Sequence, residues 1–311
     1  MFSVTLAKII SEFQLEIVFS PPNLDSINIE SADVNRSGLQ LTGFLGHFDN
    51  HRIQIMGTVE VSYLSTLNAD ERRSRLDAFF ARRFPCLVVT RGLDIFPELL
   101  EVAAKHEIPL LRTSDETSRF LSGVIRYLNI QLAPRIIMHG VLIDVYGEGI
   151  LILGESGIGK SEAAMELVNR GHRLIADDVV EVRKVSDKTL LANSPDIIRH
   201  FIEIRGIGIL DVKNLYGVGA VKMQDNINLV INLEPWDKTK EYERLGLIEH
   251  TMEILDIKVP LLNIPVRPGR NLAIIVEVAA MNNRQKKMGY NAAQALSERI
   301  SWEFDRGEAD D

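Results

Sequence analysis

A two-domain α/β protein is what this sequence predicts, and three observations lead there. The chain has 311 residues, room for two domains at roughly 100–200 residues each. Short apolar runs of strand length alternate with segments of helical spacing along both halves. A buried run at 149–153 leads into a glycine-rich turn and then a helix that stops at Gly171, a strand–turn–helix order typical of α/β domains. Hydrophobic residues are 46% of the chain and charged residues 25%, an ordinary globular balance. A chain this long buries about 75% of its extended surface and needs no disulfide or metal to hold a core.

In the first half, Gln14–Phe19, Leu39–Phe44 and Ile53–Val61 read as strands. A βαβ-like stretch follows. Cys86–Thr90 is an apolar strand ending at Arg91-Gly92, Phe96–His106 has helical spacing, and Ile108–Leu111 is a second strand. Thr113 or Ser114 can cap a helix running to about Ile130. Arg72, Arg73, Arg75, Arg82 and Arg83 form a basic cluster that reads as a solvated helical face. Gln131–Arg135, with Pro134, is the expected linker, giving domains 1–131 and 132–311. In the second half, Val141–Val145, Ile150–Leu153, His172–Ala176, Ile227–Leu233 and Ala273–Val278 read as strands, and Lys160–Asn169 and Asn291–Ile300 as helices.

Several function classes drop out. The single cysteine, Cys86, cannot form an internal disulfide, and there is no C-x-x-C pair for a cysteine-rich zinc site. The N-terminal stretch carries Lys8, Glu12 and Glu16 and does not read as a signal peptide. No apolar run approaches the ~18 residues of a membrane span. A formal charge of −8 disfavours nucleic acid as the partner. A cytoplasmic protein is expected.

Gly154-Glu155-Ser156-Gly157-Ile158-Gly159-Lys160-Ser161 fits G-x-x-x-x-G-K-[ST] at every fixed position, a pattern expected about 0.005 times by chance in this composition. Glycines let such a turn take positive φ and aim its N–H groups at a phosphate chain. The following helix adds about half a positive charge. Lys160 would reach the outer phosphates and the Ser161 hydroxyl a Mg²⁺ ion. Asp177-Asp178 ends the next strand, where a carboxylate can hold Mg²⁺ or take a proton from an attacking hydroxyl. A turn or helix-cap pair is the plain alternative.

Other positions are more open. His139 lies before a strand and next to Gly140, and a lone His is more often structural. If Ile202–Arg205 is extended, Glu203 and Arg205 share one face and Ile202 and Ile204 the other. That suits a metal–phosphate site, or equally a surface ion pair worth ~0–1 kcal/mol. Pro265-Val266-Arg267-Pro268-Gly269-Arg270 is a Pro-Gly turn bearing two arginines, suited to phosphate or simply solvated. Glu234-Pro235-Trp236-Asp237-Lys238 reads as an exposed loop entering a charged helix that contains Arg244, which alone carries no signal.

The segments MHGVLIDVYG (138–147), GESGIGKSE (154–162), GHRLIADD (171–178) and IEIRGIGILDV (202–212), with PVRPGRN (265–271), together resemble the HPr kinase/phosphorylase family. The likeness spans nearly all of the second half, and the first half is compatible without being diagnostic. It implies a small N-terminal α/β domain of regulatory or assembly role. The C-terminal domain would be a P-loop kinase fold related to phosphoenolpyruvate carboxykinase. It implies phosphorylation of a serine of HPr, the phosphocarrier of the bacterial sugar phosphotransferase system, with ATP or pyrophosphate and Mg²⁺. The reverse would be phosphorolysis, in which inorganic phosphate attacks phosphoserine and pyrophosphate leaves. Fructose 1,6-bisphosphate as effector, a homohexamer and control of carbon catabolite repression are also implied. By position, Gly154–Ser161 would bind nucleotide, Ser161 and Glu203 would ligate Mg²⁺, Asp178 would be proton acceptor and donor, and His139, Lys160 and Arg244 would be catalytic. Residues 265–270 would serve dephosphorylation. A small-molecule P-loop kinase is the alternative, and a nucleotide-binding switch without transferase activity is another.

Overall fold

The computed structural model describes residues 2–240, 242 and 248–307, the last seven as helix backbone only. The chain divides into two compact units between Ala133 and Pro134.

The first unit runs β1 (Val4–Thr5), α1 (Leu6–Glu12), β2 (Glu16–Phe19), β3 (Asn28–Ile29), β4 (Val34–Arg36), α2 (Gly38–Leu41), β5 (Ile53–Met56), α3 (Thr58–Ser65), α4 (Ala69–Phe80), β6 (Leu87–Val89), α5 (Pro97–His106), β7 (Leu110–Arg112) and α6 (Thr117–Leu132). Its main sheet has the order β2-β7-β6-β5-β4, parallel except for β2. Alternating side chains divide between two cores. Met56, Leu87 and Val89 meet α2 through α5, while Ile53, Ile55 and Val88 meet α1 and α6. The arginines of α4 are tied down rather than free: Arg72 forks onto Glu98, Arg73 bridges Glu101 and Asp70, and Arg75 donates to the Thr42 carbonyl.

Three sequence readings fail here. Leu39–Phe44 is a helical turn, not a strand. Phe44 N–H reaches Leu39 O and Gly43 N–H reaches Gln40 O, with Gly43 at φ +99°. That is a Schellman closure, which needs a left-handed residue after the last turn. Ile53–Val61 is half strand and half helix. The Glu60 carboxylate accepts from Gly57 N–H at 2.9 Å and starts α3 there. The expected linker is also shorter. Gln131 and Leu132 finish α6 and Arg135 starts the next strand, so only Ala133 and Pro134 lie between. Pro134 keeps Ala133 out of helical ψ.

The second unit runs β8 (Arg135–His139), β9 (Val141–Val145), β10 (Glu148–Gly154), α7 (Lys160–Asn169), β11 (Arg173–Ala176), β12 (Val179–Ser186), β13 (Thr189–Asn193), β14 (Phe201–Ile204), β15 (Gly208–Asp211), α8 (Val212–Tyr216), β16 (Gln224–Asn226), β17 (Leu229–Pro235), β18 (His250–Ile254), β19 (Ile257–Val266), α9 (Leu272–Lys287) and α10 (Ala292–Gly307). A six-stranded sheet, β11-β9-β10-β17-β19-β18, forms its centre, and β16-β13-β12-β8 a second sheet. Val141, Ile143, Ile150, Ile152, Leu229 and Ile231 pack under α7 and α9, and Leu142, Leu151 and Val230 pack against the second sheet. Covered on both faces, the central strands read as continuous apolar runs. Burying each such side chain stabilises the unit by about 1.5–3 kcal/mol.

Ala273–Val278 is the fourth misreading: it is the first part of α9. The Asn271 side chain accepts from Ile274 N–H at 3.0 Å, an N-cap. Ala273, Val276, Ala279, Ala280 and Asn283 face inward at helical spacing. The apolar run Ala273–Val276, broken at Glu277, is too short to tell strand from helix.

Candidate active site

Pairing register decides what converges. β10, β17 and β19 are parallel neighbours, with Gly154 beside Leu233 and Pro235 beside Val266. Their carboxyl ends therefore lie along one edge of the sheet. The loop 154–161, the segment after Pro235 and the turn 265–270 all leave from that edge. β11 points the same way, since both it and β10 run antiparallel to β9, so Asp177-Asp178 emerges there too. β9 enters from that edge, which brings His139-Gly140. In open α/β sheets this is where ligands bind.

The glycine loop has the backbone its sequence requires. Gly154, Gly157 and Gly159 have φ of +144°, +84° and +104°. A Cβ at Gly154 would lie 2.6 Å from the Leu233 carbonyl oxygen, so that position admits only hydrogen. Gly159 is the N-cap of the ten-residue α7. Ile158 anchors the loop on the core. Lys160 Nζ donates to the carbonyls of Gly154 at 2.8 Å and Glu155 at 2.9 Å, folded over the loop.

Asp177 is the hub. It is 8% exposed. Its Oδ1 accepts from the Ser161 hydroxyl at 2.8 Å and its Oδ2 from Glu203 N–H at 3.1 Å. One carboxylate thus ties α7 to the hairpin β14–β15. Burial pushes its carboxyl above the ordinary aspartate range, against the Glu203 N–H and Ser161 bonds, and the Asp178 charge pushes the same way.

Asp178 is the opposite case. It sits at φ +65°, which turns its side chain out to 79% exposure, with Oδ1 3.8 Å from His139 Nδ1. Gly140 N–H donates to the Asp178 carbonyl, and His139 pairs with Val179 across β8 and β12, which fixes their separation.

In the hairpin, Ile202 is buried and Ile204 packs on the core, while Glu203 faces out. Among the described residues the Glu203 carboxylate has no protein donor. Arg205 reaches the glycine loop, with Nη2 2.9 Å from Ser156 Oγ. A Cβ on Gly157 would meet Arg205 Nη1 at 2.5 Å. Neither Ser156–Arg205 nor the central place of Asp177 is legible in spacing, because Ser156 and Arg205 are 49 residues apart and Asp177 meets partners 16 and 26 residues away.

On the other side, the two arginines of 265–270 part ways. Arg270 Nη1 donates to its own loop at Pro265 O, 2.7 Å. Arg267 lays its guanidinium on the Trp236 ring, 3.1 Å from Cζ to the ring centre. Arg244 lies outside the described residues. The residues given a role by the sequence fall on the one edge, Arg244 apart. Among the described residues no three His, Cys, Asp or Glu side chains form a ready metal cage, and no helix is long and apolar enough to cross a membrane.

Residues 4–128 match the family model described as HPr Serine kinase N terminus, and residues 130–300 that of the HPr Serine kinase C-terminal domain. A protein named HPr kinase/phosphorylase from Caldicellulosiruptor bescii is 57% identical over 307 residues, 99% of both chains. One of the same name from Geobacillus thermodenitrificans is 47% identical over 310 residues and all of both chains. Among solved structures, the Hpr(Ser) kinase/phosphatase from Coxiella burnetii is 35% identical, covering 52% of this chain and 98% of that one at TM-score 0.47. With both halves matched and relatives alike from end to end, the chain belongs to the HPr kinase/phosphorylase family of enzymes.

Proposed function

We propose that this enzyme transfers a phosphoryl group from ATP or pyrophosphate to a serine hydroxyl of the phosphocarrier protein HPr. We also propose that it removes that group by phosphorolysis, releasing pyrophosphate. The observation that carries the reading is the grouping at one sheet edge of a P-loop sequence with its glycines at positive φ, an exposed carboxylate and a stacked arginine.

The loop N–H groups and the start of α7 suit a phosphate chain. Lys160 would exchange its two carbonyl partners for phosphate oxygens. Ser161, Asp177 and Glu203 form an all-oxygen donor set that fits Mg²⁺, which commonly keeps several waters and binds through one or two carboxylates plus substrate phosphates. When bound, the ion would neutralise charge on the phosphate oxygens. Asp178 is the open carboxylate of the pair, free to take the proton of an incoming serine. In the reverse direction it returns that proton to the serine oxygen, by microscopic reversibility. His139 stands beside it, with Nδ1 3.8 Å from its Oδ1. Arg205 steadies the loop through Ser156. Arg267 can hold the attacking inorganic phosphate. Arg244 has a catalytic place in this reading by family position alone.

Support for the rest comes from family membership rather than from the site. This covers a C-terminal fold related to phosphoenolpyruvate carboxykinase and a regulatory or assembly role for the first unit. It also covers a homohexamer, fructose 1,6-bisphosphate as effector, a cytoplasmic setting and control of catabolite repression. The test is to mix the pure chain with HPr, ATP and Mg²⁺, then add inorganic phosphate. Phosphoserine on HPr, lost on phosphate addition with release of pyrophosphate, is expected. An unlabelled HPr beside a phosphorylated small metabolite would favour the small-molecule kinase instead.

A further inference from the structure

We propose that Trp236 is the positioning residue for Arg267, holding its guanidinium face-down so that its N–H edge stays open to the phosphate used in phosphorolysis. The inference rests on the reading of the 265–270 turn given above and names the residue on which that turn depends.

The register of β17 and β19 sets Pro235 beside Val266, and Trp236 N–H donates to Val266 O at 3.2 Å. Trp236 is thereby pinned across from Arg267. The arginine lies 3.1 Å over the centre of the indole, and the Tyr242 ring stacks at 4.8 Å and 27°. Two groups that close to one ring centre cannot share a face without overlapping, so Trp236 sits between Arg267 and Tyr242. A stacked guanidinium spends its face and keeps its five edge donors. Among the described residues those donors meet no protein acceptor. Arg270, by contrast, uses an edge donor on Pro265 O. Of the two arginines of the turn, Arg267 is the one that is held and, among the described residues, free to fork onto an anion. Without the indole the side chain would keep its charge and lose its direction. That loss weakens the hold on phosphate more than it alters the chemistry at Asp178.

The experiment compares Trp236→Leu, Trp236→Phe, Arg267→Ala and the Trp236→Leu/Arg267→Ala double variant in the full chain. Both directions are measured, with inorganic phosphate varied. Trp236→Leu is expected to raise the KM for phosphate about three- to tenfold, the size of a lost cation–π contact, with kinase kcat within twofold. Trp236→Phe restores an aromatic face and should recover most of the loss. In the Arg267→Ala background Trp236→Leu should add nothing further. Equal loss in the Phe and Leu variants, or full additivity with Arg267→Ala, overturns the positioning role. Should Arg267→Ala itself spare phosphorolysis, or lower both directions alike, the reading of the turn fails first and this inference with it.

Discussion

Asp177 and Asp178 are adjacent in sequence and opposite in surroundings, so the same Asp→Asn change should give two different results. Asp178 is exposed, its contact with His139 is a 3.8 Å surface pair, and its φ is +65°. Such a pair is worth ~0–1 kcal/mol, and asparagine tolerates left-handed φ better than most residues. Asp178→Asn should therefore leave Tm nearly unchanged. Losing a positioned base costs about 10²–10⁴-fold in rate, a barrier increase of roughly 2.7–5.5 kcal/mol. Asp177 is buried and accepts from two donors with its two oxygens. Asparagine can keep its one oxygen on Glu203 N–H and turn its NH₂ to Ser161 Oγ, which then accepts where it had donated. Both contacts then change from charge-assisted to neutral hydrogen bonds, each about half as strong, a loss of about 1–3 kcal/mol in all. Relief of the buried charge offsets part of that, leaving about 1 kcal/mol, or roughly 2–4 °C in Tm for a unit of this size. The assay is kinase and phosphorolysis rates, nucleotide affinity and thermal unfolding on the same preparations. Asp178→Asn with kinase activity within about tenfold of the parent would falsify the proton role. A Tm loss confined to Asp178→Asn would instead mean that the exposed and buried assignments are reversed.

Other consequences can be checked in parallel. Lys160→Ala should abolish transfer in both directions while the protein stays folded, since its contacts are to its own loop; kinase activity within about tenfold of the parent, ~1.4 kcal/mol in barrier, would refute the loop's assignment. Glu203→Gln should raise the Mg²⁺ concentration needed for half-maximal rate, because an amide is a poorer ligand than a carboxylate; an unchanged titration refutes the metal role of Glu203. Burial raises the Asp144 carboxyl, but Lys222, the Gly147 N–H and Arg173 outweigh it and hold it below its ordinary value. Its stabilising effect is therefore present above about pH 4 and lost as pH falls through the lower folded value, so the stability gap between parent and Asp144→Asn should shrink on acidification; a constant gap refutes this. Burial pushes the Cys86 thiol up to about 12, so a thiol reagent at pH 8 should label it only after unfolding; rapid labelling of the native protein would contradict its place in the core.

How much of this was legible in the sequence varies by element. Lys160–Asn169 was read at its true bounds because three constraints agree there: a preceding buried strand, a glycine turn, and apolar residues at helical spacing. The short runs failed where a single residue decides. Glu60 reaching Gly57, Gly43 closing a turn and Asn271 capping α9 each set an element boundary through one hydrogen bond or one φ. Apolar spacing does not register such a choice, and at four to six residues it is ambiguous between strand and helix.

For the candidate site the division follows distance along the chain. Sequence alone determined the two-domain α/β class, the glycine loop with Lys160 and Ser161, and the interest of Asp177-Asp178, Glu203 and the Arg267 turn. Those signals are local, since each needs only neighbours in sequence to have physical meaning. Tertiary structure alone decided which aspartate is buried, that Arg205 braces Ser156, and that Trp236 rather than a second arginine stands with Arg267. These depend on strand register, where β10, β17 and β19 lie side by side although 75 residues and more separate the first from the others. Backbone pairing across a sheet is set by the packing of all its strands together, and no spacing within one strand carries it.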